Sequence, residues 1–316
     1  MEINRQFFAE KGEKMEFYTR TDLACESMGS SPEHCEGVRC REEQVGSFRM
    51  HRTEICTENA AQRLGKPRGK YLTVECGSLQ IMTEDERYAL AELLAMEMAR
   101  MAEQLSGKTV GSGFGIFVAG LGNAELTADA IGPQTVQKLT ATRHLREHET
   151  ALFQSFGCSA LSALAPGVLG QTGIETLELL RGVIEHVRPD VVLVIDALAA
   201  RSCERLAATV QLSDAGIAPG SGVGNHRSAI TRETLGVPVL ALGVPTVVNS
   251  ATLVYDALRS AGLEGEIGAS LIQVLETGKS FFVSPKESDV ITESFSNLLA
   301  ESISIAFMGA LHQSLR

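Results

Sequence analysis

Two uninterrupted apolar runs along the chain are each followed by an acidic residue. Residues 191 to 195 (VVLVI) lead directly into Asp196, and residues 115 to 120 (GIFVAG) lead within a few positions to Asp129. Continuous apolar runs of this length are typical of strands covered on both faces of a parallel sheet. Functional groups of such sheets lie beyond the carboxyl ends of the strands. The pattern therefore predicts that the two strand ends bring Asp196 and the acids after the other strand, Glu125 and Asp129, to one site.

Residues 84 to 105 (EDERYALAELLAMEMARMAEQL) have a different period and predict a long amphipathic helix. The methionines on its apolar face indicate core packing rather than a cofactor site. A second amphipathic helix is predicted at 288 to 311. The apolar positions of the first helix at helical spacing are Leu90, Leu93, Leu94, Met98 and Met101.

Strand and helix patterns alternate from residue 115 onward, which predicts an α/β fold with a mostly parallel sheet flanked by helices. Residues 1 to 80 are polar and irregular, with strand-like runs such as 70 to 75 (KYLTVE). We therefore expect a smaller, strand-containing N-terminal subdomain, 23 to 80, packed on a core of residues 81 to 316. The predicted core elements are strands at 115–120, 190–197, 237–243 and 280–284 and helices at about 132–148 and 173–187.

The composition narrows the function classes. The chain has 316 residues, of which 44% are hydrophobic and 21% charged, and its net charge of −11 disfavours nucleic acid as a direct ligand. The apolar runs are interrupted by Gly and Pro, and the N-terminus lacks a signal-like apolar segment. We expect a cytoplasmic protein without a membrane partner. The seven cysteines show no C-x-x-C spacing, which indicates reduced thiols.

Several catalytic and cofactor motifs fail. Gly120 and Gly122 resemble the opening of a dinucleotide fingerprint, but Glu125 occupies the position of its third glycine. The sequence also has no G-x-S-x-G nucleophile elbow. The acids at the strand ends remain, and two such carboxylates could share a proton and activate water, or hold a divalent metal. Alternatively, each acid only caps a helix.

Residues 144 to 148 (HLREH) offer a competing site. They fit the H-x-x-E-H pattern, in which two histidines one helical turn apart, here His144 and His148, bind zinc beside a carboxylate base, here Glu147. No clear third ligand follows in the sequence. A zinc protease on this helix is therefore kept as an alternative.

Two glycine-rich stretches, PGVLGQTG at 166 to 173 and PGSGVGN at 219 to 225, predict loops whose backbone can approach a ligand closely. Their backbone amides are candidates for stabilising an oxyanion or an extended substrate. The glycines concerned are Gly167, Gly170, Gly173, Gly220, Gly222 and Gly224.

Seven ordered blocks closely resemble the germination protease family of spore-forming bacteria over nearly the whole chain. These blocks are TRTDLA at 19–24, GLGN at 120–123, DAIGP at 129–133, TRHL at 142–145, PGVLGQTGIET at 166–176, IDALAARS at 195–202 and PGSGVGN at 219–225.

The resemblance implies an endopeptidase made as a zymogen, which processes itself and then degrades small acid-soluble spore proteins in the spore core at germination. It also implies a homotetramer and an atypical aspartic-type mechanism whose two essential aspartates correspond to Asp129 and Asp196. The core is expected to be similar to that of hydrogenase-maturation endopeptidases, in which equivalent acids can hold metal. No cofactor is predicted, and a divalent metal on the same two acids stays open. Asn123, His144 and Glu175 are expected to support the site.

The family's propeptide junction corresponds to Asp22 and Leu23, so residues 1 to 22 are expected to hold the zymogen inactive. The segment TDLA imitates the implied substrate pattern of an acid, a bulky apolar residue and alanine. The chain departs from longer family members by a shorter stretch between Val248 and Ser284, and by Asn249 where an aspartate is common. A non-catalytic protein that only binds spore proteins is the alternative from a different class.

Overall fold

In the computed structural model of this protein, the described residues are 21–27, 35–220, 227–263, 281–309 and 311–312. The strands are β1 (Val38–Val45), β2 (Phe48–Ile55), β3 (Gly69–Glu75), β4 (Gly115–Gly120), β5 (Ala160–Leu164), β6 (Val191–Ala200), β7 (Thr209–Ser213), β8 (Val239–Asn249) and β9 (Phe282–Val283). The helices are α1 (Glu58–Leu64), α2 (Glu84–Ser106), α3 (Ile131–Gln137), α4 (Arg143–His148), α5 (Thr150–Phe156), α6 (Leu169–Thr172), α7 (Thr176–Val187), α8 (Arg232–Leu235), α9 (Ser250–Ser260) and α10 (Ser288–Met308).

Within these described ranges, nine strands form one sheet in the order β1-β2-β3-β7-β8-β6-β4-β5, and β9 pairs with β8. The pairs β8–β6, β6–β4 and β4–β5 are parallel. The remaining pairs are antiparallel. The predicted α/β class is confirmed, and its parallel part is the half of the sheet that carries the strand-end acids.

The apolar runs of the parallel strands bury both faces of the sheet. In β4, Ile116 and Val118 belong to the cluster under α2 and α10, while Phe117 and Ala119 belong to the cluster under α7. Side chains of successive strand residues point to opposite faces, so an unbroken apolar run is required where helices cover both sides. This burial holds the ends of β4 and β6 rigidly in place.

The predicted long helix is confirmed as α2. Its N-terminus is capped by Thr83, whose side chain accepts a hydrogen bond from the Glu86 amide while the Glu86 carboxylate accepts one from the Thr83 amide. Gly107, at φ 70°, ends the helix in the left-handed conformation. The predicted apolar stripe is buried against the sheet, as expected for core residues.

The predicted single helix at 132 to 148 is wrong, because the chain folds there into α3, α4 and the following α5. Thr142 stands at the break and is completely buried. Its hydroxyl donates to the Ser159 carbonyl at 2.6 Å and accepts from the Leu161 amide at 2.8 Å. These bonds tie the segment to β5, a contact that a continuous helix would not permit.

The N-terminal strands extend the core sheet, because β3 pairs with β7 along five residue positions. Val74 of β3 is fully buried in the same apolar cluster as β4 and β6. The prediction of strands before residue 80 is thus confirmed. The domain boundary at residue 80 stays a prediction. None of the helices in the described ranges is both long and apolar enough to cross a lipid bilayer.

Candidate active site

Asp196 lies where β6 passes beyond the end of β4. Ile195, the residue before it, pairs with Gly120, the last residue of β4. Across the sheet, Asp196 is in register with Gly243 of β8, and Gly243 is in register with Gln211 of β7. Asp196 is 5% exposed and Gln211 7% exposed. A row of three neighbouring strands therefore carries two buried polar side chains with a glycine between them.

Asp129 reaches the same place from the loop that follows β4. The chain turns at Gly122, which has φ +111° and comes so close to the Asp129 backbone that a Cβ atom would lie 2.0 Å from the Asp129 carbonyl oxygen. The Asn123 amide then donates to Asp129 Oδ2 at 2.8 Å. Thr246 of β8 and Thr292 of α10 donate to the carbonyls of Ala128 and Thr127. The turn that presents Asp129 is thereby held from two sides.

The two carboxyl groups lie in one cavity of about 430 Å³ and influence each other's charge. Burial, the Asp129 charge and the Asp22 charge raise the pKa of Asp196 well above its usual value. The hydrogen bond from the Ala197 amide and the Arg227 charge lower this pKa, but their effect is smaller. Burial also raises the pKa of Asp129, although the hydrogen bond from the Asn123 amide and the Arg227 charge act to lower it. Asp196 is the more deeply buried of the two. Burial and the neighbouring Asp129 charge therefore both favour the protonated form of Asp196.

The predicted propeptide junction lies at the edge of this cavity. The Asp22 amide donates to the Ala199 carbonyl at 2.8 Å, and the Ala199 amide donates to Asp22 Oδ2 at 2.8 Å. Asp22 and Asp196 line the cavity together, and Asp129 lines it from the opposite loop. The structure thus brings both predicted aspartates and the predicted junction to one place.

Gln211 bridges the two sides of the Asp22–Leu23 peptide bond. Its Nε2 donates to the Asp22 carbonyl oxygen at 3.0 Å, and its Oε1 accepts from the Ala24 amide at 2.8 Å. The sequence interpretation missed Gln211. The available signal was a polar residue inside a short apolar segment, TVQLS at 209 to 213, which was not recognised as a strand.

The residues after the junction are buried in pockets of matching character. Leu23 is fully buried and packs against Leu198 and Ala200 of β6. Ala24 is 1% exposed in a second cluster that contains Tyr71 of β3. The first pocket suits a bulky apolar side chain, and the second a small one.

Glu26 anchors the end of this segment, and the sequence interpretation missed it too. Its carboxylate accepts from the amides of Arg201 at 2.7 Å and Ser202 at 2.9 Å, just after β6. The Arg205 guanidinium lies 3.8 Å from the same carboxylate. Thr21 donates to it from before the junction. The described segment 21–27 is therefore attached at both ends of the junction.

The glycine-rich loops contribute unequally. Gly167 and Gly220 line the cavity with the aspartates. Gly170 lies within α6 and Gly173 at its C-terminus, and neither lines that cavity. Gly222 and Gly224 lie outside the described residues. Among described residues, the hydrogen bond to the Asp22 carbonyl comes from the Gln211 side chain.

Of the three residues expected to support the site, Asn123, His144 and Glu175, only Asn123 contacts one of the two aspartates in the described structure. The Asn123 amide holds Asp129, and its side chain accepts from Gln171 at 3.0 Å. Glu175 is the residue before α7, and it is the adjacent Thr176 that lines the cavity. His144 is exposed on α4, away from the cavity.

Helix α4 lies at the other end of the parallel strands. Arg146 of α4 is next to Gly115, the first residue of β4. Asp196 lies at the opposite end, just beyond the pair formed by Ile195 and Gly120, the last residue of β4. Glu147 pairs with Arg143 at 2.6 Å. The predicted His144, Glu147 and His148 zinc helix therefore does not join the site.

The donor set limits what a metal ion would find here. Across the described part of the chain, no three His, Cys, Asp or Glu side chains are grouped so that they could hold a metal ion. Asp129 and Asp196 supply two carboxylates, whereas protein sites usually provide three or more ligands. The described residues do not form a complete metal site, and whether the protein needs a divalent metal, which the sequence left open, is for experiment to decide.

Comparison with known proteins gives consistent matches to one family. A family model described as germination protease matches residues 18–261. A germination protease of Caldanaerobacter subterraneus subsp. tengcongensis is 38% identical over 92% of this chain and 95% of its own length. One of Clostridium acetobutylicum is 34% identical over 93% and 97%. One of Priestia megaterium is 40% identical over 77% and 67%.

Among solved structures, a hydrogenase maturation protease of Thermococcus kodakarensis KOD1 matches with a TM-score of 0.32 and 17% identity. The match covers 65% of this chain and 99% of that one. A similarity of this size supports no conclusion about chemistry or mechanism.

Proposed function

Because this chain belongs to the germination protease family, whose members are peptidases of spore germination, we propose that Asp129 and Asp196 hydrolyse its own Asp22–Leu23 bond. The observation that carries the proposal is the position of that bond. Asp22 lines the cavity that also contains both aspartates, and its backbone is held on Ala199 and Gln211. A junction in this place is arranged as a substrate of the site.

The two aspartates have different roles in the proposed reaction. Asp129, the less deeply buried of the two, is the ionised member and takes a proton from the attacking water. The water oxygen bonds to the Asp22 carbonyl carbon, whose oxygen becomes an oxyanion. Asp196 is the protonated member and gives its proton to the Leu23 nitrogen as the carbon–nitrogen bond breaks. The products are the Asp22 carboxyl group and the Leu23 amine.

Residues 1 to 22 are the proposed propeptide. While Asp22 is held at the edge of the cavity and Leu23 and Ala24 fill the apolar pockets beside it, another polypeptide cannot bind in the same way, so the chain before cleavage is inactive towards other substrates. Cleavage would free the Asp22 side of the site. Family membership supports small acid-soluble spore proteins as later substrates, a homotetrameric assembly and action in the spore core.

The substrate pattern follows from the contacts of the segment. An acid before the bond is held by the Ala199 amide, a bulky apolar residue fits beside Leu198, and a small residue follows. A second acid then meets the amides of Arg201 and Ser202. We propose that protein substrates present the same order of residues.

Intact-mass measurement of the full chain tests the proposal. Wild type, Asp129→Asn and Asp196→Asn are incubated at mildly acidic pH with and without a chelator, and Asp289→Asn serves as the control. Asp289 is an exposed acid in the first turn of α10. We expect wild type and the control to lose residues 1 to 22 with or without chelator, and both aspartate variants to stay intact.

Other outcomes contradict parts of the proposal. Cleavage after Asp22 in both aspartate variants would remove these residues from the chemistry. Cleavage that stops with chelator in wild type would require a metal. An intact wild-type chain that still binds spore proteins would favour the non-catalytic alternative.

A further inference from the structure

We propose that the side-chain amide of Gln211 is a catalytic hydrogen-bond donor that stabilises the oxyanion formed at the Asp22 carbonyl during cleavage. The inference rests on the proposed function, because it takes Asp22–Leu23 as the bond that is hydrolysed. The same donor would serve the equivalent carbonyl of any protein substrate that replaces the segment.

The contacts of Gln211 place its donor on the reacting atom. Nε2 lies 3.0 Å from the Asp22 carbonyl oxygen, which is the oxygen that gains negative charge when water adds to the carbon. Donors of an oxyanion hole lie about 2.7–3.1 Å from the position that the oxyanion takes in the transition state. A donor that already contacts the carbonyl oxygen is close enough to keep this bond as the oxygen gains charge.

The orientation of the amide is determined by its second contact. Oε1 of Gln211 accepts from the Ala24 amide at 2.8 Å. An amide NH₂ group cannot accept a hydrogen bond, so a flipped Gln211 would place two donors face to face at Ala24. The NH₂ group is therefore kept towards the Asp22 carbonyl.

The sheet register places Gln211 and Asp196 on the same face of the sheet, two strands apart. Gln211, Gly243 and Asp196 are in register across β7, β8 and β6, so the side chains of the outer two face the same side of the sheet. Neighbouring strands are about 4.8 Å apart, which separates the two Cα atoms by roughly 10 Å. Gly243 adds no side chain between them, and the Leu198 side chain lies over it. Asp22, Gln211 and Asp196 all line the cavity on this face.

Burial strengthens the effect of the donor. The Gln211 side chain is largely withdrawn from solvent, since the residue is 7% exposed. A fixed dipole in such a buried position stabilises developing charge more than it would in water, and it needs no reorganisation during the reaction. Water supplies the attacking oxygen, Asp129 takes its proton, and the carbonyl π electrons move onto the oxygen that Gln211 contacts.

Gln211→Glu is the most informative substitution. A carboxylate keeps the shape of the side chain and the acceptor for the Ala24 amide, but it has no hydrogen to donate to the Asp22 carbonyl. Loss of one oxyanion donor typically slows an enzyme by about 10²–10³-fold. We expect processing of the full chain at neutral pH, followed by intact mass, to slow by this factor.

The pH dependence separates a donor from a structural residue. When the new carboxyl group is protonated it regains a donor, so the ratio of the Gln211→Glu rate to the wild-type rate is expected to rise as pH falls. Gln44→Glu is the matched control, because Gln44 is an exposed glutamine of the edge strand β1. This control is expected to process at the wild-type rate at every pH.

Hydrogen exchange shows whether residues 21–27 are still held in place in the variant. We expect the amides of residues 21–27 to be as protected in Gln211→Glu as in wild type. Slow processing with lost protection would mean that Gln211 only holds the segment, and it would overturn the oxyanion role. Processing within about threefold of wild type at neutral pH would overturn it as well.

Failure of the proposed function gives a different result. In that case Asp129→Asn and Asp196→Asn still process, whatever Gln211→Glu does. If both aspartate variants are inactive and Gln211→Glu is fast, only the inference about Gln211 fails. Should Gln211→Glu not fold, Gln211→Met removes both hydrogen bonds without adding charge and is expected to be at least as slow.

Discussion

Asp22 and Ala199 are joined by two hydrogen bonds of 2.8 Å, one through the Asp22 backbone and one through its carboxylate. The residues are far apart in sequence, yet the pair fixes the predicted junction at the end of β6. It also brings the Asp22 charge close enough to Asp196 to raise the pKa of Asp196, after the larger effect of burial and that of Asp129. The junction is thus both the proposed substrate and part of the electrostatics of the site.

Asp22→Asn is expected to shift the pH dependence of processing. Removing the Asp22 charge lowers the pKa of Asp196, so Asp196 loses its proton at a lower pH than in wild type. Asparagine can still accept the Ala199 amide. The alkaline limb of the rate profile should therefore move to lower pH, as measured by intact mass at a series of pH values. An unchanged alkaline limb would contradict the assignment of Asp196 as proton donor, and Asp289→Asn is the charge control.

Asp196→Asn is expected to stabilise the fold, increasingly so at higher pH. The pKa of Asp196 is raised in the folded state, mainly by burial. Above its unfolded value of about 3.9, the folded state therefore keeps a proton that the unfolded state has released. The free energy of unfolding then falls as pH rises through the window between the two values. Asparagine carries no such cost.

Melting temperatures of two uncleaved chains measure this effect. The reference chain carries Asp129→Asn, and the second chain carries Asp129→Asn with Asp196→Asn, so that propeptide loss does not confuse the comparison. The double variant should melt at a higher temperature, with a difference that increases as the pH rises above the ordinary aspartate pKa. A difference that is constant with pH would show that Asp196 is already ionised in the folded protein.

Leu23→Ala is expected to slow processing about 10- to 100-fold. Leu23 is fully buried against Leu198 and Ala200, and burial of a leucine side chain contributes about 1.5–3 kcal/mol. The truncated side chain leaves the junction less firmly placed, and about 1.4 kcal/mol corresponds to tenfold in rate. Leu23→Met, which conserves volume, should stay within a few fold. Equal rates for the two variants would contradict an apolar pocket that positions the bond.

Glu26→Gln is expected to slow processing about tenfold. The Glu26 carboxylate accepts from the amides of Arg201 and Ser202, and hydrogen bonds to a charged group contribute about 1.5–3 kcal/mol each. Glutamine keeps one acceptor and loses the charge next to Arg205. Glu36→Gln, at an exposed position before β1, is the control. Increased hydrogen exchange in residues 21–27 should accompany the slower rate, and a wild-type rate would show that the anchor is dispensable.

Local pattern was sufficient for a large part of the fold. Helix α2 and helix α10 were predicted because their apolar residues repeat at helical spacing within one element. Strands β4 and β6 were predicted because an unbroken apolar run needs cover on both faces. The prediction of one helix at 132 to 148 was wrong, because the hydroxyl of Thr142 forms hydrogen bonds to Ser159 and Leu161 at β5. No local sequence pattern indicates this contact.

The sequence by itself determined that Asp196 follows a buried strand and that Asp129 follows another, because both facts depend on residues a few positions away. The resemblance to the germination protease family, through the block TRTDLA at 19–24, also pointed to Asp22 and Leu23. Only the tertiary structure decided that Gln211 and Glu26 belong to the same site. Gln211 meets Asp22 across 189 positions, and Glu26 meets Arg201 across 175. Such contacts follow from strand order and register, which depend on the packing of the whole sheet rather than on any local run of residues.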